Sequence, residues 1–303
     1  MPYILFLLIC AIWGSNFMLM KEAALAFSGV EIAFGRVLGG ALVLGVFWWL
    51  QGGRWKIHRE DCLPLALVIL IGYSWPYTLQ PIMVAKHGGA LIGMSISFVP
   101  LATVVLSIPF LGVYPSRRAA IGVLGALVFL IGMLVDSHRR AIPLLDMVLA
   151  GTVPLGYALA NICIRRRLLR ISPLDLSFLA LVWTAVSLIP ALFYDLSPAP
   201  PARSDIVWSL VAIVLLGFVG TGLANWMFNR LIHLEGPLFA GMVTNLVPLG
   251  AVIWGWADGE HVSALQWVCL FGTMLMVALV QYGSATSKVV VVDRPVIEAA
   301  PQQ

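Results

Sequence analysis

The chain has 303 residues, of which 61% are hydrophobic and only 11% charged, with a formal net charge of +4 at pH 7. Soluble domains carry about 25% charged residues, so the composition excludes a sizeable soluble domain. The basic excess would suggest nucleic-acid binding in a soluble protein, but here Lys and Arg lie in loops beside apolar runs, where they mark membrane topology. We therefore predict an integral membrane protein that contacts the lipid bilayer and binds no nucleic acid.

Ten apolar runs are long enough to cross a bilayer, which takes about 20 mostly apolar residues. Because nearly all of the connections are short, the runs predict a compact antiparallel bundle with an all-α integral membrane fold. The predicted transmembrane helices cover residues 2–20, 31–51, 62–83, 89–110, 117–135, 146–164, 174–194, 206–228, 236–256 and 263–283.

An internal repeat divides the chain into two halves. The stretch from Gly72 to Val104 recurs 148 residues later, so that Gly72 matches Gly220 and Pro100 matches Pro248. The matching residues are mostly Gly and Pro, which govern backbone shape. Each half holds five predicted helices, and this odd number inverts the second half relative to the first. The predicted units are a first repeat at 2–135, an inverted repeat at 146–283 and a disordered cytoplasmic tail at 284–303.

Basic residues in the loops predict the orientation of the bundle. With the N-terminus in the cytoplasm, the cytoplasmic segments hold twelve Lys and Arg residues and the external segments five. An excess of Lys and Arg marks the cytoplasmic side, so both termini are expected there. Lys21 and the pair Arg139-Arg140 argue for the opposite orientation.

The matched prolines and glycines are predicted to hinge or gate the bundle. Pro100 and Pro248 fall near the middle of the fourth and ninth predicted helices, where proline removes a backbone donor and kinks the helix. Gly72 and Gly220 fall at equivalent points of the third and eighth helices. These two glycines fit either a hinge or close packing between helices through small residues.

Polar and aromatic residues within the predicted helices indicate a substrate path. Polar side chains in lipid are costly unless the bundle satisfies them, and large rings can line a cavity for amphipathic solutes. Each residue alone could equally serve helix packing, but the set favours a path with one polar vestibule on each side of a central constriction. The predicted substrate-binding residues are Asn16, Tyr73, Trp75, Tyr77, Gln80, Ser97, Tyr157, Trp183, Asn225 and Asn245.

Several kinds of chemistry have no sequence signal. No Asp or Glu lies near the centre of a predicted helix and the histidines lie near loops, which argues against a buried proton relay. The path is expected to hold no fixed charge, with Arg36 near a helix end and able to pair with Glu31. The four cysteines have no metal-type spacing, and no catalytic or nucleotide-binding motif occurs. We predict no metal, no cofactor and no enzymatic activity.

Short motifs in both halves resemble one membrane protein family. The first half begins with Trp13-Gly14-Ser15-Asn16, followed by Lys21 and Arg36, and each half ends in a similar block. The two blocks are Phe98-Val99-Pro100-Leu101 and Leu246-Val247-Pro248-Leu249, with Gly259-Glu260 after the second. Over residues 2–283 the chain resembles EamA-type exporters of the drug/metabolite transporter superfamily. Val113 departs from the family pattern, because it stands where the family usually places the acid kept as Glu260.

The resemblance implies export across a bacterial inner membrane by alternating access, without a cofactor. Together with the aromatic and neutral polar residues, it predicts a secondary, non-ATP exporter of small zwitterionic or amphipathic metabolites, above all amino acids that include aromatic and hydrophobic ones. The alternative is a multidrug or other small-metabolite exporter, which could be proton-coupled. Gly35-x-x-x-Gly39 is expected to pack helices within one chain, and the protein is expected to function as a monomer.

Overall fold

The computed structural model describes residues 2–53, 57–112, 114–139, 141–168, 170–193, 206–228, 230–231, 234 and 243–285. These residues form ten apolar helices and no strand, which confirms the predicted all-α fold. Eight helices are long and apolar enough to span a membrane, and the last two contain shorter apolar stretches, Val243–Ala257 and Ala264–Val280. The helices are α1 (Pro2–Ala23), α2 (Gly29–Leu50), α3 (Arg59–His87), α4 (Gly89–Phe110), α5 (Arg117–Arg139), α6 (Leu144–Leu168), α7 (Pro173–Phe193), α8 (Ile206–Phe228), α9 (Val243–Ala257) and α10 (Ala264–Ala285).

Local sequence signals fix where helices begin. At the start of α2, the Ser28 hydroxyl accepts a hydrogen bond from the Glu31 amide, and the Glu31 carboxylate accepts one from the Ser28 amide. This reciprocal cap satisfies two amide groups that an α-helix leaves unpaired. Between α3 and α4, Gly88 has a φ of +86°, a conformation that only glycine adopts readily.

The predicted tail at 284–303 lies outside the described residues, apart from residues 284 and 285.

Helix pairs in the bundle come in equivalent sets. Helix α1 packs on α9 as α6 packs on α4, and α2 packs on α8 as α7 packs on α3. Three further pairs, α2 with α7, α4 with α9 and α5 with α10, join equivalent helices. Exchanging the two halves therefore maps each of these pairs onto another or onto itself, as two structurally related repeats require. Helices α5 and α10 pack mainly on each other, at the side of the bundle.

Glycines allow two of these helix pairs to approach closely. A Cβ atom added at Gly14 on α1 would lie 2.8 Å from the Cα atom of Gly250 on α9. A Cβ atom added at Gly39 on α2 would lie 3.0 Å from the Cα atom of Gly217 on α8. The Gly35-x-x-x-Gly39 motif thus packs against another helix of the same chain, as small residues do at tight membrane-helix contacts.

Ion pairs distinguish the two ends of the bundle. At one end, which we name the Lys21 end, Lys21 pairs with Asp258 and lies 3.6 Å from a carboxylate oxygen of Glu260. At the other, the Arg170 end, the Nε atom of Arg170 donates to Asp61 at 2.9 Å. Consecutive helices run from one end to the other, so the chain alternates direction along the whole bundle.

Candidate functional site

A cavity of about 240 Å³ lies between the two halves of the bundle. Helices α1 to α4 line it from the first half, and α6, α8 and α9 line it from the second. The predicted residues that the structure brings to this cavity are Asn16, Gly72, Tyr73, Tyr77, Gln80, Tyr157, Gly220 and Asn225. The polar residues that line the cavity thus come from both halves and face one shared space, rather than two vestibules separated by a constriction.

Four predicted substrate-binding residues lie away from the cavity. Trp75 and Trp183 are 44% and 52% exposed on the outer face, and the Trp75 indole donates to Thr152 at 2.8 Å. Trp75 precedes Tyr77 by two residues, which turns it by about 200° to the opposite face of the helix. The Ser97 hydroxyl donates to the Met94 carbonyl at 2.7 Å. Asn245 is half-buried on α9 and does not line the cavity.

The cavity-lining residues occupy equivalent positions in the two halves. On α3 and α4 they match residues 148 positions later on α8 and α9. These pairs are Gly72 with Gly220, Tyr77 with Asn225, Gln80 with Phe228, Ile96 with Thr244 and Val99 with Val247. On α1 and α6 the offset is 144, and the pairs are Trp13 with Tyr157, Asn16 with Ala160, Phe17 with Asn161 and Met20 with Ile164. Tyr77 and Asn225 both line the cavity, so this equivalent pair lies where the two halves face each other.

Among the described residues that line the cavity, Arg36 is the charged one, and it has no counterpart from the other half. It comes from α2, only 4% of its surface is exposed, and no residue of α7 lines the cavity. Its Cζ atom lies 4.3 Å from the centre of the Tyr77 ring, in a cation–π contact. The expectation of a path without fixed charge is therefore wrong. The expected pairing with Glu31 is wrong as well, because that carboxylate caps α2.

The model of the EamA-like transporter family matches residues 1–135 and again residues 145–282. The chain belongs to this family. It is a multi-pass membrane transporter of small solutes, built from two EamA repeats. Members of the family are transporters, which fits the prediction that the chain is not an enzyme.

Comparison with solved structures shows that other proteins share this fold. Seven chains of known structure match. One of them, described as "Crystal structure of protein", is 15% identical, covers 92% of this chain and 97% of its own length, and has a TM-score of 0.63. At this identity the likeness establishes the fold alone. No curated protein matches the chain.

The first EamA motif, Trp13-Gly14-Ser15-Asn16, attaches α1 to the second half. The Trp13 indole and the Asn16 side-chain amide both donate to the Gly220 carbonyl, at 3.1 Å and 3.2 Å. Gly220 lies in a π-helical stretch, Leu216–Leu223, and a similar stretch, Val68–Ser74, contains Gly72. Such stretches often occur at functional sites of membrane and soluble helices. The sequence gives no signal for them, because an apolar run does not encode the i to i+5 pattern.

Gly72 and Gly220 are both in close contact with another helix. A Cβ atom at Gly72 would meet the Ala160 side chain at 2.4 Å, and one at Gly220 would meet the Asn16 side-chain oxygen at 2.1 Å. These contacts are equivalent between the repeats and place both glycines at the cavity wall. Close packing is therefore present at both positions, and their hinge role remains a prediction.

Pro100 and Pro248 lie beside the cavity rather than in its wall. Helix α4 is interrupted by a 3₁₀ turn, Ile96–Phe98, directly before Pro100, whereas the described part of α9 continues through Pro248. If these prolines hinge the gating helices, Pro100→Ala and Pro248→Ala should lower the transport rate more than the amount of protein at the membrane. Transport per molecule, normalised by surface expression, measures this. An equal loss of both quantities would leave the prolines with a folding role only.

Sequence reasoning missed two of the most informative lining residues. Trp13 was noted for its motif and Arg36 for its position near a helix end, but neither was assigned to the substrate path. The signal for Trp13 was available, because Tyr157 lies at the equivalent position in the second half. No Asp, Glu or His lines the cavity among the described residues, and no group of metal-ligating side chains occurs in that part of the chain.

A larger space of about 590 Å³ lies between α3, α4 and α6 near the Arg170 end. Most of its lining is aliphatic, with Glu60, Arg166 and Arg167 at its charged edge. It involves only one helix of the second half and few groups that could orient a polar solute. Specific recognition needs a few placed polar groups, which the cavity between the halves provides.

Proposed function

We propose that this EamA-like protein exports amino acids, including aromatic and hydrophobic ones, from the bacterial cytoplasm by alternating access without ATP. The observation that carries the proposal is the cavity between the repeats, which combines aromatic walls with side-chain amides. Trp13, Tyr73 and Tyr157 supply flat apolar surface for a substrate side chain. Asn16 and Asn225 supply hydrogen-bonding groups for its polar end.

The size and charge of the cavity favour an amino acid over a drug. Its volume of about 240 Å³ lies below the range of roughly 300–1,000 Å³ that is typical of pockets for drug-sized ligands. The buried guanidinium of Arg36 also repels lipophilic cations, which are common among multidrug substrates. Both features count against the multidrug alternative.

The equivalence of the two halves supports alternating access. When equivalent helices adopt each other's conformation, a bundle closed at one end closes at the other instead, while the cavity stays lined by the same residues. The excess of Lys and Arg at the Arg170 end supports a cytoplasmic position for that end and for both termini. Because the lining described above has no carboxylate or imidazole, we propose movement down the substrate gradient without proton coupling.

The test is uptake of labelled phenylalanine, tryptophan, threonine and a lipophilic cation into proteoliposomes of the pure protein, without an ion gradient. Saturable uptake of the amino acids is the expected result. Uptake of the cation alone would assign the protein to drug export. Uptake that requires an imposed pH step would overturn the absence of proton coupling.

Two substitutions of aromatic residues distinguish a ring in the cavity wall from a ring on the outer face. Tyr157→Ala removes a ring from the cavity, and we expect it to raise the KM for phenylalanine about 10-fold, since contacts of buried rings contribute about 0.5–1.5 kcal/mol beyond area burial. Trp183→Ala removes an exposed ring and should leave KM unchanged. Initial uptake rates over a range of concentrations measure both values. An equal rise in both variants would remove the cavity from the proposal.

A further inference from the structure

Arg36 holds a buried positive charge that the described protein does not neutralise. Its side chain faces the cavity with 4% of its surface exposed, and no ion pair between described residues includes it. Its Nη1 atom lies 3.5 Å from the side-chain oxygen Oε1 of Gln80 and 3.5 Å from the Met20 sulfur, and both distances are long for hydrogen bonds. Its Nε atom is buried without a hydrogen-bond partner.

This arrangement is costly unless an anion occupies the cavity. A buried charge destabilises a protein when neither an opposite charge nor a full set of hydrogen bonds compensates it. A guanidinium presents five N–H donors in a plane that fits the two oxygens of a carboxylate. The cation–π contact with Tyr77 partly compensates the charge from one side of the guanidinium and leaves its donors available.

The repeat indicates that Arg36 is not needed merely to pack the two halves against each other. Every other described lining residue except Tyr73 has an equivalent partner in the opposite half that also lines the cavity. A group needed only to join the repeats would be expected in both. Arg36 therefore gives the otherwise paired cavity one charged side.

We infer that the guanidinium of Arg36 binds the carboxylate of the transported molecule, an inference that rests on the proposed function and specifies which group of the substrate is recognised. In this structure the Asn16 side-chain nitrogen donates to the Gly220 carbonyl and its oxygen packs against Gly220, so Arg36 is the group that recognises a charged end of the substrate.

Calorimetric titration of the pure full-length protein in lipid nanodiscs tests this with three ligands. Phenylalanine carries both charged groups, 3-phenylpropionate keeps only the carboxylate, and phenethylamine keeps only the ammonium group. In the wild type, phenethylamine should bind at least about 30-fold more weakly than phenylalanine, as expected when a buried charge loses its partner. This comparison needs no variant and so does not depend on how substitutions at Arg36 fold.

Arg36→Gln should remove the preference for phenylalanine over phenethylamine, and Arg36→Lys should restore part of it. The matched control is Arg118→Gln, which makes the same change at an exposed arginine at the start of α5 and should bind as the wild type does. Without ligand, Arg36→Gln should melt no lower than the wild type, because it removes an uncompensated buried charge. A purely structural arginine would instead lower the melting temperature and weaken all ligands equally.

The outcomes separate this inference from the proposed function. Binding of 3-phenylpropionate that depends on Arg36, with no binding of any amino acid, would disprove amino-acid export and keep the carboxylate site. Equal affinity for phenylalanine and phenethylamine in the wild type, or wild-type affinity for phenylalanine in Arg36→Gln, would overturn the inference. The inference would also be wrong if the wild type bound neither phenylalanine nor 3-phenylpropionate.

Discussion

Replacing Gly14 by valine is expected to prevent the protein from accumulating in a folded, monodisperse form. The added Cβ atom would lie 2.8 Å from the Cα atom and 3.0 Å from the carbonyl carbon of Gly250. No rotamer change relieves this overlap, because both atoms belong to the backbone of α9. Overpacking against side chains already costs about 1–3 kcal/mol. A clash with backbone is relieved only when the whole helix moves, so it should cost more than overpacking against side chains. The total free energy of unfolding from which this cost is subtracted is typically about 5–15 kcal/mol.

Gly151→Val provides the matched control for this substitution. Gly151 lies within α6, and a Cβ atom added there meets nothing within 4 Å. Valine has a higher helix propensity than glycine, so this variant should be as stable as the wild type or slightly more stable. Size-exclusion profiles and melting curves in detergent measure both variants. A monodisperse Gly14→Val protein with an unchanged melting temperature would contradict the close contact between α1 and α9.

The number of helices and their division into two halves follow directly from the sequence. Long apolar runs report how often a chain crosses a bilayer, whatever their neighbours are. The matched Gly72 and Gly220 report the repeat because only small residues fit where Ala160 and Asn16 approach. In both cases the signal lies within one segment or in a spacing along the chain.

The direction of each side chain and the depth of Arg36 depend on neighbouring helices. The prediction ended the first helix at residue 20 and the third at residue 83, whereas α1 continues to Ala23 and α3 to His87. Arg36 is buried because Met20 on α1 and Tyr77 and Gln80 on α3 contact it, and these contacts come from other helices. Trp75 and Trp183 were predicted as lining residues from their depth in the membrane alone. Depth does not fix which face of a helix is turned toward the bundle interior.

Replacing Glu260 by glutamine is expected to weaken the contacts that hold the Lys21 end of the bundle together. The two carboxylate oxygens of Glu260 accept hydrogen bonds from the amides of Gly89 and Ala90, at 2.8 Å and 2.9 Å. A carboxylate at the start of α4 also interacts favourably with the helix dipole. With Lys21 3.6 Å away, Glu260 joins α1, α4 and the loop between α9 and α10.

The corresponding acid is missing from the first repeat, where the family position holds Val113. A valine side chain accepts no hydrogen bond, so it offers no equivalent of the bonds that Glu260 accepts. In the alternating-access cycle that we propose, the Lys21 end opens and the bonds to Glu260 break. Hydrogen bonds to a charged group contribute about 1.5–3 kcal/mol each. If Glu260→Gln removes part of this hydrogen-bond energy, the population of molecules open at the Lys21 end should rise by about 10- to 100-fold.

Labelling of a cysteine in the cavity measures this population. In a protein whose native cysteines are replaced, Ile96→Cys places a thiol in the cavity wall on α4. A membrane-impermeant maleimide that reaches only the Lys21 end should label this thiol faster when Glu260→Gln is added. Glu60→Gln is the control, because it removes a carboxylate that pairs with Arg170 at the opposite end and should not accelerate labelling. If Glu260→Gln lowers the melting temperature without changing the labelling rate, the carboxylate caps α4 and does not hold the Lys21 end closed.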